Sequence, residues 1–261
     1  MRQFFPYILC AIMMLSCANS NPNKAKATEN IKLYRLEVVA EHPHDVTSYT
    51  QGLFFMGGDM YESTGQYGSS TFRKVDLKTG KTLAKSSFNK EYFVEGSTVL
   101  GDNIYILTWQ EHVAFVYDAK TLKYKKAYKY PREGWGLTTD GTNLIASDGS
   151  SSLYFMDQDL KLIRKVQVTV DSTPLRLLNE LEYIDGKIWA NVYLYDEIVI
   201  INPSSGKVEA VVDCRGLLPK ELYTDDTDVL NGIAYNPKDG KIYLTGKNWP
   251  KLYEVKLVPV R

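Results

Sequence analysis

Glu95 is the side chain that most needs a chemical explanation. It lies in Phe93-Val94-Glu95-Gly96, and a carboxylate among apolar neighbours costs free energy unless it has a partner or a task. One carboxyl group can take a proton from a nucleophile and return it to a leaving group, acid–base work typically worth ~10²–10⁴ in rate. Lys247 is the cation that could instead neutralise it as a structural ion pair. Glu180 and Glu182 alternate on one strand face. Paired acids can hydrolyse glycosides, but these two could equally line a channel or accept backbone N–H groups. His42, His44 and His112 supply two ligands two residues apart and no third with metal-site spacing. No metal or cofactor is therefore expected in the chemistry; the sequence carries no signal for or against a structural cation in a channel. Ser147-Asp148-Gly149-Ser150 reads as a turn, and no Gly-x-Ser-x-Gly nucleophile elbow occurs.

The frame that must hold these groups is a repeat. Short runs rich in Val, Ile, Tyr, Leu and Thr follow Gly-Asp or Asp-Gly pairs at Gly58-Asp59, Gly101-Asp102, Asp140-Gly141, Asp185-Gly186 and Asp239-Gly240. These are hairpin turns between strands. The hairpins align in five units that begin at Gln51, Glu95, Trp135, Asn179 and Asn231, spaced by 44, 40, 44 and 52 residues. Units of about 40–50 residues with four strands each are the size of propeller blades. The sequence thus predicts an all-β fold, a five-bladed β-propeller over residues 32–261; the even spacing disfavours a β-sandwich. The last unit is short and the strand Leu33 to Val39 has no partner in the first. That strand is expected to join the last blade and close the ring, hiding sheet edges. A short helical turn is expected near Pro219 to Leu222.

In such a ring the residue before each innermost strand faces one mouth of the channel. Gln51, Glu95, Trp135, Asn179 and Asn231 become neighbours there. A second equivalent set, Gly65, Trp109, Gly149, Tyr193 and Lys247, ends the returning strands at the same mouth. The two rings make an aromatic cup with few charges, the usual composition of a small-ligand pocket.

Composition agrees with a folded enzyme or binding module. The chain has 261 residues, 44% apolar and 24% charged, an ordinary globular balance. Its 31 basic and 31 acidic residues cancel, leaving no footprint for nucleic acid. Phe4 to Leu15 is an apolar run after Arg2, long enough for a signal-peptide core and too short for a membrane span. It ends in Met14-Leu15-Ser16-Cys17, which resembles a bacterial lipobox with Cys17 as the lipidated residue. Residues 1–16 are read as a lipoprotein-type signal peptide and 17–31 as a flexible tether. An exported monomer in the periplasm or cell envelope is expected, touching the membrane only through its anchor. Cys214 is the one cysteine of the body, so no internal disulfide is available.

The sequence resembles the plant and bacterial type of glutaminyl cyclase, the glutaminyl-peptide cyclotransferases. The stretches that carry the resemblance include Pro43-His44-Asp45, Tyr49-Thr50-Gln51-Gly52-Leu53, Phe93-Val94-Glu95-Gly96, Leu107-Thr108-Trp109 and Gly134-Trp135-Gly136-Leu137. They continue through Leu178-Asn179-Glu180-Leu181-Glu182, Trp189-Ala190-Asn191, Leu230-Asn231-Gly232-Ile233-Ala234 and Thr245-Gly246-Lys247 with Trp249-Pro250. The resemblance implies a five-bladed propeller that turns N-terminal glutaminyl residues into pyroglutamate and releases ammonia. It implies Glu95 as acid–base, Gln51, Asn179 and Lys247 as polar contacts, and Phe93, Trp109 and Trp135 as apolar walls. Tyr49 stands where the family usually has Phe and Tyr193 where it has Trp, which bears on substrate preference. The implied partner is a peptide or protein N-terminus bearing Gln. The competing expectation is a lipid-anchored propeller that binds peptides or acts as a scaffold without turnover.

Overall fold

In a computed structural model, which describes residues 31–260, the chain is built from β-strands and one 3-10 turn. The expected leader, Cys17 and the tether up to residue 30 lie outside the described residues. Strand β1 (Lys32–Pro43) is followed by a four-stranded antiparallel sheet of β2 (Thr50–Met56), β3 (Asp59–Thr64), β4 (Thr71–Val75) and β5 (Thr82–Ser87). A second sheet holds β6 (Val94–Leu100), β7 (Asn103–Thr108), β8 (Val113–Asp118) and β9 (Tyr124–Lys129). A third holds β10 (Leu137–Thr139), β11 (Leu144–Ala146), β12 (Ser152–Met156) and β13 (Leu162–Gln167). A small hairpin, β14 (Thr169–Val170) and β15 (Thr173–Pro174), comes next. The rest comprises β16 (Leu178–Ile184), β17 (Lys187–Val192), β18 (Glu197–Ile201), β19 (Val208–Asp213), the 3-10 turn Lys220–Leu222, β20 (Leu230–Asn236), β21 (Lys241–Gly246) and β22 (Lys251–Pro259).

These last strands and β1 form one eight-stranded sheet in the order β16-β17-β18-β19-β1-β22-β21-β20. Strand β1 runs antiparallel to β22, from Tyr34 opposite Pro259 to Pro43 opposite Lys251. On its other edge it runs parallel to β19, with Lys32 opposite Ala210. The antiparallel partner is the expected one; the parallel one adds to it.

The turns follow from their residues. Gly57 and Gly58 at φ 65° and 92° join β2 to β3, and Asp185 and Gly186 at 49° and 77° join β16 to β17. Such left-handed pairs match the twist of a two-residue hairpin. The first strand of each sheet lies against the first strand of the next: β2 against β6, β6 against β10, β10 against β16, β16 against β20, and β20 against β2. The core fills the space between facing sheets. Phe54, Tyr61 and Phe72 of the first sheet pack on Val94, Ile104 and Ile106 of the second, and Tyr105, Leu107 and Val116 pack on Leu137, Leu144 and Met156 of the third. Fully burying one such side chain contributes about 1.5–3 kcal/mol.

Candidate active site

Four of the five inward residues are lifted out of their strand by a local irregularity; Trp135 precedes β10. The pairing of first and second strands slips between Thr50 and Gly52, Val94 and Ser97, Leu178 and Leu181, and Leu230 and Ile233. Gln51, Glu95, Asn179 and Asn231 fall inside those slips, and a bulge of this kind re-aims a side chain. The following glycine lets the neighbouring strand close in. A Cβ on Gly96 would lie 2.5 Å from the Leu137 nitrogen, and one on Gly136 2.0 Å from the Asn179 oxygen. In the fourth unit Glu180 replaces the glycine. Its Oε1 accepts from Leu53 N at 3.3 Å and its Oε2 from Ile233 N at 2.8 Å. Glu182 accepts from Tyr235 N at 3.0 Å and Thr138 Oγ1 at 3.2 Å. Both acids bind backbone, as one of their expected readings has it.

The second ring is latched to the first by one repeated bond. Gly65 N donates to Tyr49 O, Trp109 N to Phe93 O, Tyr193 N to Leu177 O and Lys247 N to Val229 O, at 2.8–2.9 Å. The acceptor always lies two residues before the inward residue of the same unit. After three of these donors the chain turns through a left-handed residue: Gln66, Leu194 and Asn248 at φ 117°, 73° and 61°. Left-handed non-glycine residues cost free energy and gather at functional sites. Gly65 and Gly149 are small for a reason: a Cβ there would strike the rings of Phe93 and Trp135 at 2.3 and 2.6 Å.

The outcome is a cavity of about 220 Å³ lined by Tyr49, Gln51, Phe93, Glu95, Trp109, Trp135, Asn179, Tyr193 and Lys247. Nine of the ten non-glycine residues expected at the cup thus line one cavity. Asn231 is the tenth and lies behind it, fully buried. Its Nδ2 donates to Thr50 O at 2.9 Å and to Gln51 Oε1 at 3.2 Å. That bond orients the Gln51 amide, whose Nε2 donates to Glu95 Oε1 at 3.0 Å.

Glu95 is 5% exposed. Burial pushes its proton affinity well above the ordinary glutamate value; Lys247 works against this, and Glu111 and Glu133 add to it. Among the described residues no ion pair within 4.0 Å joins Glu95 to Lys247. The Lys247 ammonium stands over the rings of Tyr49 and Tyr193, 4.7 and 5.1 Å from their centres. Burial lowers its pKa, opposed by Glu95 and Asp228. The aromatic walls meet edge to face: Phe93 with Trp109 at 5.6 Å, Trp135 with Tyr193 at 5.5 Å and Tyr49 with Phe93 at 6.2 Å. Asn179 Oδ1 is buried with no protein partner.

Three carboxylates behind the walls went unseen in the sequence. Asp228 accepts the Tyr49 hydroxyl at 2.7 Å. Glu111 accepts Phe93 N at 3.2 Å and the Tyr67 hydroxyl at 2.8 Å. Glu133 accepts both indole N–H groups of the wall. Only Glu133, two residues before Trp135, had a positional hint. His44 lies away from the cavity wall; its ring nitrogens face Trp249 O at 2.7 Å and Glu62 Oε1 at 3.0 Å. Among the described residues no three His, Cys, Asp or Glu side chains converge as metal ligands. Cys214 is buried, and burial raises its thiol pKa.

Residues 8–257 match the family described as glutamine cyclotransferase. A glutaminyl-peptide cyclotransferase of Arabidopsis thaliana is 43% identical over 233 residues, which cover 87% of this chain and 72% of the relative. The crystal structure of Myxococcus xanthus glutaminyl cyclase is 33% identical, with a TM-score of 0.83 over 89% of this chain and 100% of its own.

Proposed function

The chain belongs to the glutamine cyclotransferase family, and from that premise we propose that it converts N-terminal glutaminyl residues of peptides and proteins to pyroglutamate, with Glu95 as general acid–base. The substrate's α-amine attacks its own side-chain amide carbon and closes a five-membered ring. A free α-amine has a pKa of ~7.7–8.0, so a usable fraction is neutral near pH 7. Ionised Glu95 takes the amine proton as the carbon–nitrogen bond forms. It gives that proton to the amide nitrogen as the second bond breaks, so ammonia departs and the carboxylate is restored. Gln51 occupies Oε1, which leaves Oε2 for the proton. Lys247 and Asn179 stabilise the carbonyl oxygen while it carries negative charge. Tyr49, Phe93, Trp109, Trp135 and Tyr193 hold the chain bent toward attack. Asn231 acts one layer back, through Gln51. The scheme needs no metal.

The observation that carries this reading is Glu95 itself: a buried carboxylate with raised proton affinity on the wall of an aromatic cup. The test is ammonia release from Gln-Ala, with and without chelator. The wild type turns over in both, and E95Q keeps its fold, with a melting temperature no lower than the wild type's, while losing about 10²–10⁴-fold in rate. Wild-type turnover by E95Q sinks the mechanism. Binding of Gln-Ala by the wild type without ammonia release sinks the enzyme reading in favour of a peptide-binding scaffold.

The same proposal extends to the architecture and address. The three four-stranded sheets and the eight-stranded one are read as five blades, the eight-stranded one being two blades joined through β1, and β1 on β22 closes the ring. The contacts between successive first strands support this. Cys17 is proposed as the lipid anchor of an exported monomer; labelling with a fatty-acid analogue, lost in C17S, tests it.

A further inference from the structure

Glu133 does not line the cavity, yet its carboxylate holds two of the walls at once. Its Oε2 accepts the indole N–H of Trp109 at 3.0 Å and that of Trp135 at 3.2 Å. Its Oε1 accepts Gln110 Nε2 at 3.4 Å. The two indoles come from different sheets: Trp109 follows β7 and Trp135 precedes β10. The segment carrying Glu133 is fastened to the first of these. Gly134 N donates to Thr108 O at 3.0 Å and Trp109 O at 3.2 Å, and a Cβ at 134 would fall 2.5 Å from Thr108 O. A carboxylate bound to two N–H groups forms strong, directional bonds, and each bond stops its ring from rotating. Neither indole N–H has another protein acceptor among the described residues.

We propose that Glu133 is a positioning residue that clamps Trp109 and Trp135 into one wall against which the glutaminyl side chain is bent. This rests on the reading of the cavity as the glutaminyl site. It assigns the paired indoles one shared support, so that they move together or not at all. The clamp has a second consequence, because its charge acts on Glu95 from behind the wall. The groups facing Glu95 are Gln51, which bonds it, Lys247, Glu111, Glu133, and the hydroxyls of Tyr49, Tyr67 and Tyr193. Removing the Glu133 charge takes away one of the two anions that hold the Glu95 proton on.

Three variants separate geometry from charge. E133Q keeps an amide oxygen for both indoles and loses the charge. E133D keeps the charge and is one methylene too short to reach both rings. E133A loses both. The measurements are kcat and KM for Gln-Ala, indole fluorescence of the free enzyme, and the pH profile of kcat/KM from pH 5 to 9. KM is expected within about threefold of wild type in E133Q, raised at least about fivefold in E133D and about tenfold in E133A. The fluorescence should shift in E133D and E133A. The ratio of the E133Q profile to the wild-type profile, in which the substrate's own ionisation cancels, should rise toward low pH. Equal KM and unchanged fluorescence across the series overturn the clamp, and if E133A does not fold, E133D against E133Q decides. A wild type without ammonia release refutes the activity and leaves the clamp to the fluorescence series.

Discussion

Lys247 illustrates how this cup treats charge. Its ammonium rests on two tyrosine faces, an arrangement that stabilises a cation without neutralising Glu95. K247M should therefore fold and lower kcat by about 10²–10³, the usual loss for one donor to a developing oxyanion; steady-state kinetics on Gln-Ala checks this. Because burial lowers the Lys247 pKa, the alkaline fall in kcat should begin below the pH at which an ordinary lysine titrates, and the K247M profile should lack it. Gln51, Glu95 and Asn179 were legible in the sequence because the repeat placed them at one position of every unit. Asp228 was not, since it meets Tyr49 across 179 residues and no local pattern records such a contact. Asn231 was legible as a neighbour but not as a support. Which of two adjacent amides reaches the cavity depends on how their hydrogen bonds are shared.

Strand pairs set those positions through their bulges and glycines. A Cβ at position 96 would meet backbone atoms at 2.5–2.7 Å, so G96A must spread two neighbouring first strands. It should cost about 1–3 kcal/mol in urea unfolding and lower activity by moving Glu95. Glu182 makes a different prediction. Burial raises its pKa to about 8, although Tyr235 N and Thr138 oppose the rise. A buried acid with a raised pKa weakens the fold as pH climbs from its unfolded value, about 4.3, toward its folded one. E182Q resembles the protonated acid, so its melting temperature should gain on the wild type across that interval and stay level above it. Most strands were readable from apolar runs bounded by Asp-Gly turns. The hairpin β14–β15 was not, because Asp171 and Ser172 make its left-handed turn, at φ 47° and 69°, without a glycine. The parallel pairing of β1 with β19 was equally hidden, since neither strand carries a local mark of its distant neighbour.

A buried charge pair ties the segment after β1 to β3. His44, just past β1, sets its ring nitrogens against two acceptors, Trp249 O at 2.7 Å and the Glu62 carboxylate on β3 at 3.0 Å, an arrangement that favours the protonated imidazole, which has two N–H donors. Burial works against that charge, but Glu62 and the other acceptors outweigh it and the His44 pKa is raised. Burial likewise opposes ionised Glu62, yet His44, Arg73 and Thr50 hold its pKa below the ordinary value. The histidine contributes fully below its unfolded pKa of about 6.5 and loses this as pH rises through the folded value. The glutamate contributes above about 4.3 and loses this as pH falls through its folded value. The gap in melting temperature between wild type and H44Q should therefore be widest near pH 5–6, between the two unfolded values, and narrow as pH rises through the raised pKa of folded His44.

The pairing of β1 with β22 also bears on biosynthesis. A ribosome delivers residues 32–43 some two hundred positions ahead of residues 251–259, so the earliest strand to emerge waits for the last. Strand β19 is made first and supplies a partner only for Lys32 to Arg35 on one edge; until β22 follows, the opposite edge, out to Pro43, is left to water or a chaperone.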